Sequence, residues 1–163
     1  MKLPQQLPVR GFNRAALSRN RMDARLSITE LGLRADIDAS VLSRWERGSS
    51  NPTPELLVRV ADALGVSTSD LVDIPPGERT LADLRSLAGF SQRALAKHLG
   101  LTFKALASIE NGLYDLDPER AQLLAGAVGV SVPELVAAYK RGAIQVLRQR
   151  IDEVESLPVA ATA

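Results

Sequence analysis

Apolar residues recur at the spacing of an α-helix along most of the chain. Leu101, Ala105, Leu106 and Ile109 are one example, because all four fall on one face of a helix. Segments of this kind are separated by Gly, Pro, Ser, Thr and Asp, residues that begin or end helices. Aromatic residues make up only 4% of the chain, whereas Ala, Leu and Val are abundant. The pattern therefore predicts packed helices rather than a sheet.

The helical pattern occurs twice. Displacing the sequence by 64 residues aligns 17–72 with 81–136 without a gap, and 17 of the 56 aligned pairs are identical. Each repeat is long enough to form a small domain with its own core. Between the repeats, Pro75, Pro76 and Gly77 predict a short, stiff linker. The sequence thus predicts two domains that lie close together.

Helix start and stop signals predict five short helices in each repeat. In the first repeat Ser27, with a glutamate three residues on, has the spacing of a capping box, and Asp38 is placed to cap a helix that Gly48 ends. The second and third helices of each repeat are separated by only three residues, at 35–37 and 99–101. This spacing is typical of a helix-turn-helix motif. Further start and stop signals occur at Thr53, Pro54, Gly65, Ser67, Ser91, Thr102, Asp117, Pro118, Gly129 and Ser131.

The fold class predicted from these signals is all-α: two tandem five-helix domains and an extended C-terminal helix. After Pro133 the helical pattern continues to Leu157 without another proline. The predicted organisation is a flexible basic N-terminal tail at 1–12, a first helix-turn-helix domain at 13–73, a linker at 74–80, a second domain at 81–138, a C-terminal helical extension at 139–157 and a tail at 158–163.

Composition disfavours several classes of function. The chain has no cysteine, which excludes disulfides and thiolate metal sites, and His98 is its one histidine. We therefore expect no metal, no cofactor and no enzymatic activity. No apolar run approaches the ~18 residues that a membrane span needs, and the N-terminus lacks the apolar centre of a signal peptide. The expected location is the cytoplasm, without a membrane partner.

Several motifs carry a resemblance to a known family. They are SQRALAKHLGL at 91–101 in the second repeat, and SRWERG at 43–48, NPTPELL at 51–57 and ADALGV at 61–66 in the first. The chain resembles the XRE family, the lambda-repressor-like and Cro-like helix-turn-helix proteins. The resemblance covers about 17–136 and implies five-helix domains that place the third helix in the major groove of double-stranded DNA. It implies a DNA-binding transcriptional regulator. Our own expectation, which the resemblance alone does not establish, is a repressor of phage, plasmid or mobile-element type that acts by occupying an operator.

The first repeat departs from the family pattern. It has Asn20 at a usual Leu position, Arg25 and Asp36 where Gly is common, and Ile28 where the family has a Gln that touches the DNA backbone. The net charge of the chain is +1, but 1–27 carries +5 and 28–75 carries −4, so any DNA contact must come from a local patch. The first repeat is therefore either a weaker DNA-binding unit or a structural and partner-binding one. An antitoxin-like protein, which holds a protein partner through this repeat or the C-terminal helix, is the alternative.

Helical spacing and the resemblance together give candidate DNA contacts. In the second repeat, Lys104 is suited to a guanine edge or a phosphate, and Phe103 to a thymine methyl or to packing between domains. Gln92 either contacts a phosphate or faces solvent, and Arg44 of the first repeat either contacts a guanine or is a solvated charge. The candidates are Gln92, Thr102, Phe103, Lys104, Ala107, Ser108 and Asn111 in the second repeat and Ser40, Ser43, Arg44 and Arg47 in the first.

Other charged residues have a different expected role. The resemblance implies an ion pair between the first and third helices of each domain, Arg21 with Glu46 and Arg85 with Glu110. Both pairs have the same spacing of 25 residues, and we expect them to be structural rather than catalytic. In the N-terminal segment, Arg10 and Arg14 either form an arm that follows the DNA backbone or enters the minor groove, or belong to a disordered tail.

The C-terminal helix has an apolar stripe of its own. Ile144, Leu147, Ile151 and Val154 recur at spacings of three, four and three residues, as in a short coiled coil. Basic residues precede acidic ones along this segment. The stripe therefore predicts either an antiparallel homodimer, with opposite charges facing, or an intramolecular brace that folds back over the two domains.

Overall fold

A computed structural model describes residues 7–158, and within that part of the chain the protein is entirely helical, with nine α-helices and no strand. The all-α class and the two tandem domains are confirmed. The helices are α1 (Arg14–Asp23), α2 (Ile28–Ala35), α3 (Ala39–Arg47), α4 (Pro54–Leu64), α5 (Leu81–Leu87), α6 (Gln92–His98), α7 (Phe103–Glu110), α8 (Pro118–Val128) and α9 (Val132–Glu155), with 3-10 turns at Thr68–Leu71 and Pro76–Glu78.

The helices begin where the sequence places capping residues. Ser27 and Glu30 form the capping box of α2, the Asp38 carboxylate accepts the Ser40 N–H at the start of α3, and Gly48 ends α3 in the left-handed conformation. These bonds satisfy N–H and C=O groups that a helix end leaves without a partner. The turns between α2 and α3 and between α6 and α7 therefore lie at the positions that these local signals predict.

Each domain has its own apolar core. In the first domain Trp45 of α3 is buried, and Phe12 lies edge-on to its ring with 6.3 Å between centroids. The largest fully buried side chains are Leu17, Leu31, Leu42, Trp45, Leu57 and Leu71 in the first domain and Leu81, Leu95, Leu106, Ile109, Leu124 and Leu135 in the second. Of the apolar face predicted for the third helix of the second repeat, Leu106 and Ile109 are fully buried and Leu101 packs against the core, whereas Ala105 is half-buried.

The fifth helix differs between the domains. Ser67 caps only the 3-10 turn Thr68–Leu71 in the first domain, whereas its counterpart Ser131 begins α9, a helix of 24 residues. After the turn, Val72 is extended and forms an isolated bridge with Phe12, and Pro75 disfavours helical geometry in the residue before it. The fifth helix predicted for the first domain is therefore present only as a single 3-10 turn.

Residues 7–12 do not form the predicted flexible tail; residues 1–6 of that prediction lie outside the described part of the chain. Val9 is buried in the core of the first domain, and its N–H donates to the Pro52 carbonyl at 3.0 Å. Phe12 packs against the same core. The basic composition of the segment concealed these two apolar anchors, which tie it to the domain.

The two domains are held together by polar and apolar contacts. The Arg10 guanidinium donates to both carboxylate oxygens of Asp83 on α5, at 2.9 and 2.5 Å. The Thr68 hydroxyl donates to the Leu87 carbonyl at 2.8 Å, and Val58 lies so close to Gly89 that a Cβ there would be 2.7 Å from its methyl group. No residue of α3 or α7 takes part in these contacts, so both third helices keep a face free of the other domain.

The linker predicted at 74–80 is ordered in this arrangement. Ile74 and Arg79 are buried, and the Arg79 side chain donates to the Ile74 carbonyl at 3.0 Å. The Arg79 carbonyl in turn accepts the side chain of Arg141 on α9 at 2.8 Å. The linker is thus fixed from both sides, as its two prolines also favour.

In the described residues, no single helix is long and apolar enough to cross a membrane; α8 and α9 reach that length and composition only as a pair, bent by 101°.

We expect Asp83→Asn to lower the free energy of unfolding at pH 7 by about 1–2 kcal/mol, less than for a fully buried ion pair because half of the Arg10 side chain is exposed. Burial raises the pKa of Asp83, but the hydrogen bonds from Arg10 and Thr80 outweigh it and hold the pKa below its ordinary value. A lowered pKa stabilises the fold above the unfolded-state pKa, and this contribution is lost as the pH falls through the folded-state pKa.

Urea unfolding of the wild type and Asp83→Asn between pH 7 and pH 3 tests this expectation. The difference between the two proteins should shrink as the pH falls below about 4. Asp115→Asn, at an exposed loop position, is the matched control and should leave stability unchanged throughout. A difference that stays constant with pH would show that the Asp83 carboxylate does not stabilise the fold through its charge.

Candidate nucleic-acid interface

The second helix-turn-helix motif consists of α6 and α7. Gly100 turns the chain between them with φ +66°, and the Thr102 hydroxyl accepts the Ala105 N–H at 3.1 Å to begin α7. Leu106 and Ile109 of α7 are fully buried in the domain core. Because one face of α7 is fixed in this way, its opposite face is turned to solvent.

That outer face contains the candidate residues of the second domain. Phe103 is 50% exposed, and the Arg93 guanidinium of α6 lies 5.7 Å from the centre of its ring, so Phe103 does not pack between the domains. Thr102, Lys104 and Asn111 are exposed as well, while Ala107 and Ser108 are half-buried. Together they form one continuous side of the helix, which we call the α7 face.

The charge around the α7 face is positive. Between Gln92 and Glu110 the basic residues are Arg93, Lys97 and Lys104, and the one acidic residue is Glu110 itself. Glu110 is buried and ion-paired with Arg85, so it presents no negative charge to a ligand. The surface is therefore suited to a polyanion.

The Gln92 side chain makes a hydrogen bond inside its own domain, which neither of its two predicted roles includes. Its side-chain amide donates to Glu110 at 2.8 Å, and the residue is half-buried. One amide hydrogen is therefore engaged inside the domain, while an amide group carries two. Contact of the other with a phosphate stays a prediction. The sequence gives no signal for the bond to Glu110, which joins residues 18 positions apart.

In each domain an ion pair holds the third helix of the motif against the first helix. Arg21 donates to Glu46 at 2.7 Å and Arg85 to Glu110 at 2.6 Å, each linking the first helix of its domain to the third. Each guanidinium also donates to a backbone carbonyl in the turn before the second helix, Arg21 to Leu26 at 2.9 Å and Arg85 to Phe90 at 2.8 Å. These charges therefore fix the position of the third helix and are not available to a ligand.

The first motif presents a mixed surface. On α3, Ser40, Arg44 and Arg47 are exposed, Ser43 is half-buried, and the Arg47 side chain donates to the Ser43 hydroxyl at 2.7 Å. The motif also contains Glu30, Asp36, Asp38 and Glu46 against three arginines, so it lacks the basic excess of the second.

Asp36 is partly neutralised by the fold. Arg59 of α4 donates to its carboxylate at 2.7 Å and also bonds its backbone carbonyl. The carboxylate is nevertheless almost fully exposed, and Asp38 stands two residues away. The Arg59–Asp36 contact thus reduces the negative charge predicted at the start of α3 but does not remove it. The sequence does not indicate this contact, because the two residues are 23 positions apart.

The predicted DNA-backbone arm is divided by the structure. Arg10 is ion-paired with Asp83 at the domain interface, because burial of Val9 directs it there. Arg14 instead donates to the Arg47 carbonyl at 3.1 Å and is exposed at the end of α3. Of the two, Arg14 alone lies beside a candidate DNA-contacting helix.

Two departures of the first repeat coincide with backbone strain. Arg25 and Asp36 have φ values of +56° and +52°, and at the equivalent positions the second domain has Gly89 and Gly100. Positive φ places a Cβ too close to the backbone, so glycine is the residue usually found there. The family pattern thus has a conformational reason at both positions.

We expect Arg25→Gly to raise the free energy of unfolding by about 1 kcal/mol, because it removes this strain. Arg19→Gly, also exposed but inside α1, is the matched control and should lower it by about 1 kcal/mol. Thermal unfolding followed by circular dichroism measures both changes. A lower melting temperature for Arg25→Gly would contradict the expectation.

Two helix-turn-helix units, each fixed to its domain core and presenting a solvent-facing third helix, define a DNA-binding protein. A family model described as helix-turn-helix matches residues 17–71 and, independently, residues 81–135. The chain therefore belongs to the helix-turn-helix family of XRE type, a family of DNA-binding transcription regulators, as its sequence motifs predict. Comparison with curated proteins and with solved structures returned no match.

Proposed function

We propose that the protein is a sequence-specific transcriptional repressor that acts in the cytoplasm by occupying an operator in double-stranded DNA. It is of the type found in phages, plasmids and mobile elements, and it has no catalytic role and needs no cofactor. The observation that carries this proposal is the α7 face, which combines an exposed Lys104 and Asn111 with a surrounding surface free of exposed acidic side chains from Gln92 to Glu110.

The α7 face has the chemistry that the major groove requires. An α-helix fits the groove, where an amine donates to guanine and an apolar ring packs on a thymine methyl. Lys104 and Phe103 supply these groups at the first turn of α7, and Arg93 stands beside them for a phosphate. The second domain is therefore the principal DNA-contacting unit in the proposal.

The first domain contributes a weaker contact through Arg44 and Arg47. Its exposed Asp36 and Asp38 lie at the end of α3 that points toward the groove in this family, and they repel phosphate. A chain with two unequal units favours an asymmetric or extended DNA site, and a palindromic site requires a dimer.

Selection of random-sequence DNA by the purified protein, followed by sequencing, tests the proposal. A defined motif at moderate salt supports it. The absence of any motif would overturn sequence-specific binding, and the repressor role with it. Placing a selected motif across a promoter in a transcription assay then separates repression from activation, since occupancy predicts fewer transcripts.

A protein-interaction role of the antitoxin kind is the second candidate. It is favoured by one surface, the turn of the first motif, where Leu33 is 79% exposed beside Asp36 and Asp38. Such a surface suits a basic partner with an apolar contact. Arg44→Ala would then leave DNA binding unchanged, whereas Leu33→Asp would release a partner that co-purifies with the protein.

A further inference from the structure

The distal half of α9 carries an apolar stripe without a partner in the described chain. The last buried position of the helix is Gly142. Beyond it Ile144, Leu147, Ile151 and Val154 are 48%, 61%, 55% and 65% exposed. Four large aliphatic side chains in one row on a helix are more than scattered surface residues, and such a patch marks an interaction site.

The stripe faces away from the protein. At 100° per residue it lies roughly 165° around the helix from Leu135, Ala138 and Gly142, the residues that attach α9 to the second domain. The proximal half of α9 therefore braces its own domain, but the distal half does not fold back over the two domains. Of the two predicted uses of the stripe, the intramolecular brace is not found in residues 7–158.

We propose that the stripe pairs with the same stripe of a second molecule as a parallel, in-register, two-stranded coiled coil. In heptad notation Ile144 and Ile151 occupy a positions, and Leu147 and Val154 occupy d positions. Isoleucine at a with leucine at d favours parallel two-stranded pairing, because each side chain then meets its own counterpart in the geometry it packs best. Ile144, Leu147 and Ile151 follow this preference, whereas Val154 departs from it. Two heptads fit between Gly142 and the end of the helix at Glu155.

The flanking charges also favour the parallel orientation. Arg150 at g faces Glu155 at e of the second molecule, and the two-fold axis repeats this attraction. In the antiparallel orientation, which the order of charges along the helix predicts, Arg148 and Arg150 each face their own counterparts, which is repulsive. In that antiparallel orientation Glu155 faces Arg141 of the second molecule. The Arg141 side chain already donates to the Arg79 carbonyl of its own chain at 2.8 Å, so it is less available for an ion pair with Glu155.

Dimerisation would fix the distance between two α7 faces. Gly142 packs so closely on α7 that a Cβ added to it would lie 3.1 Å from the Glu110 carbonyl oxygen. In the same way, a Cβ added to Gly112 would lie only 2.3 Å from the Cβ of Ala143. The end of α7 is therefore packed directly on α9, with no linker between it and the stripe. With interaxial distances of 8–10 Å, the C-terminal ends of the two α7 helices lie within about 30 Å of each other. At this separation, two copies of the second domain can contact one DNA segment. That contact rests on the proposed function, whereas the dimer itself does not.

Disulfide cross-linking tests the pairing and its direction, because the natural chain has no cysteine. In the parallel dimer, Ile144→Cys brings its two thiols together, and mild oxidation yields a covalent dimer. In the antiparallel dimer the same positions are about 15 Å apart, too far for a disulfide. Gln149→Cys, on the outer face of the helix, is the control and should stay monomeric on a denaturing gel.

The outcomes separate clearly. Cross-linking of Ile144→Cys and not of Gln149→Cys supports the proposal. Cross-linking only in the double variant Ile144→Cys with Val154→Cys would overturn it in favour of the antiparallel orientation. Absence of every cross-link would overturn dimerisation through the stripe. None of these results depends on DNA, so failure of the repressor proposal is distinguishable from failure of this one.

Sedimentation of variants supplies a second test without oxidation. We expect Leu147→Asp to weaken the dimer tenfold or more, since it places a carboxylate in the seam. Glu155→Arg should weaken it to a smaller extent, and adding Arg150→Glu should restore it by reversing the pair. Failure of the double variant to recover would overturn the parallel register. Circular dichroism confirms that each variant keeps its helical content.

Discussion

Lys104→Ala is expected to lower the affinity for the selected DNA sequence by about 10–100-fold, the range of one good contact to a base edge or a charged contact to phosphate. Lys104 is exposed on the first turn of α7, and the fold gives it no carboxylate partner among the residues from Gln92 to Glu110. Its ammonium group is thus free to meet DNA at low desolvation cost. The alanine variant keeps the helix, because alanine favours helical structure.

The two possible contacts of Lys104 give different results in the same assay. If it bonds a guanine, the variant loses preference at one position of the motif. If it bonds a phosphate, affinity falls uniformly and the slope of affinity against salt decreases by about one. Lys140→Ala removes the same charge from an exposed position on α9 and is the control. Equal affinities for wild type, Lys104→Ala and Lys140→Ala would remove the α7 face from the proposed interface.

Arg44→Ala extends this comparison to the first domain. We expect a smaller loss than for Lys104→Ala, because Asp36 and Asp38 reduce the positive potential around Arg44. Binding measured by fluorescence anisotropy on one labelled duplex compares the two variants directly. A larger loss for Arg44→Ala would make the first domain the principal DNA-contacting unit.

Glu110→Ala is expected to lower the free energy of unfolding of the second domain by about 3–5 kcal/mol, the range for one partner removed from a buried ion pair. The Arg85 and Glu110 side chains are 11% and 5% exposed, and they approach to 2.6 Å. Without the carboxylate, the guanidinium remains buried with only the Phe90 carbonyl, and the Gln92 amide loses its acceptor. The variant therefore leaves two polar groups unsatisfied at once.

The first domain offers a matched comparison. Glu46→Ala breaks the equivalent pair, but both side chains are slightly more exposed, at 15% and 14%, and Ile28 stands where the second domain has Gln92. We expect a smaller loss, about 2–4 kcal/mol. Urea unfolding measures both, and Glu110→Gln should recover part of the stability because an amide oxygen still accepts hydrogen bonds. A change below about 1 kcal/mol for Glu110→Ala would contradict a structural role for the pair.

The sequence by itself determined the two domains and the order of their helices, but not that the last helix of the first domain is only a 3-10 turn. Helix ends depend on residues three or four positions apart, as in the capping box of Ser27 and Glu30, so these signals are complete within a short window. The apolar period likewise identified the buried face of α7 and hence its outer face. The departures at Arg25 and Asp36 were visible as residues, although their φ values were not.

Only the tertiary structure decided which distant groups meet. Arg10 pairs with Asp83, Gln92 with Glu110 and Arg59 with Asp36, contacts that span 73, 18 and 23 residues. Charge alone did not assign them, since the chain contains 20 basic and 19 acidic residues and many pairings are electrostatically equivalent. Burial of a few apolar side chains, such as Val9, brings particular charges within reach of one another. The same packing leaves the distal stripe of α9 exposed, because the core of the second domain is already complete at Gly142.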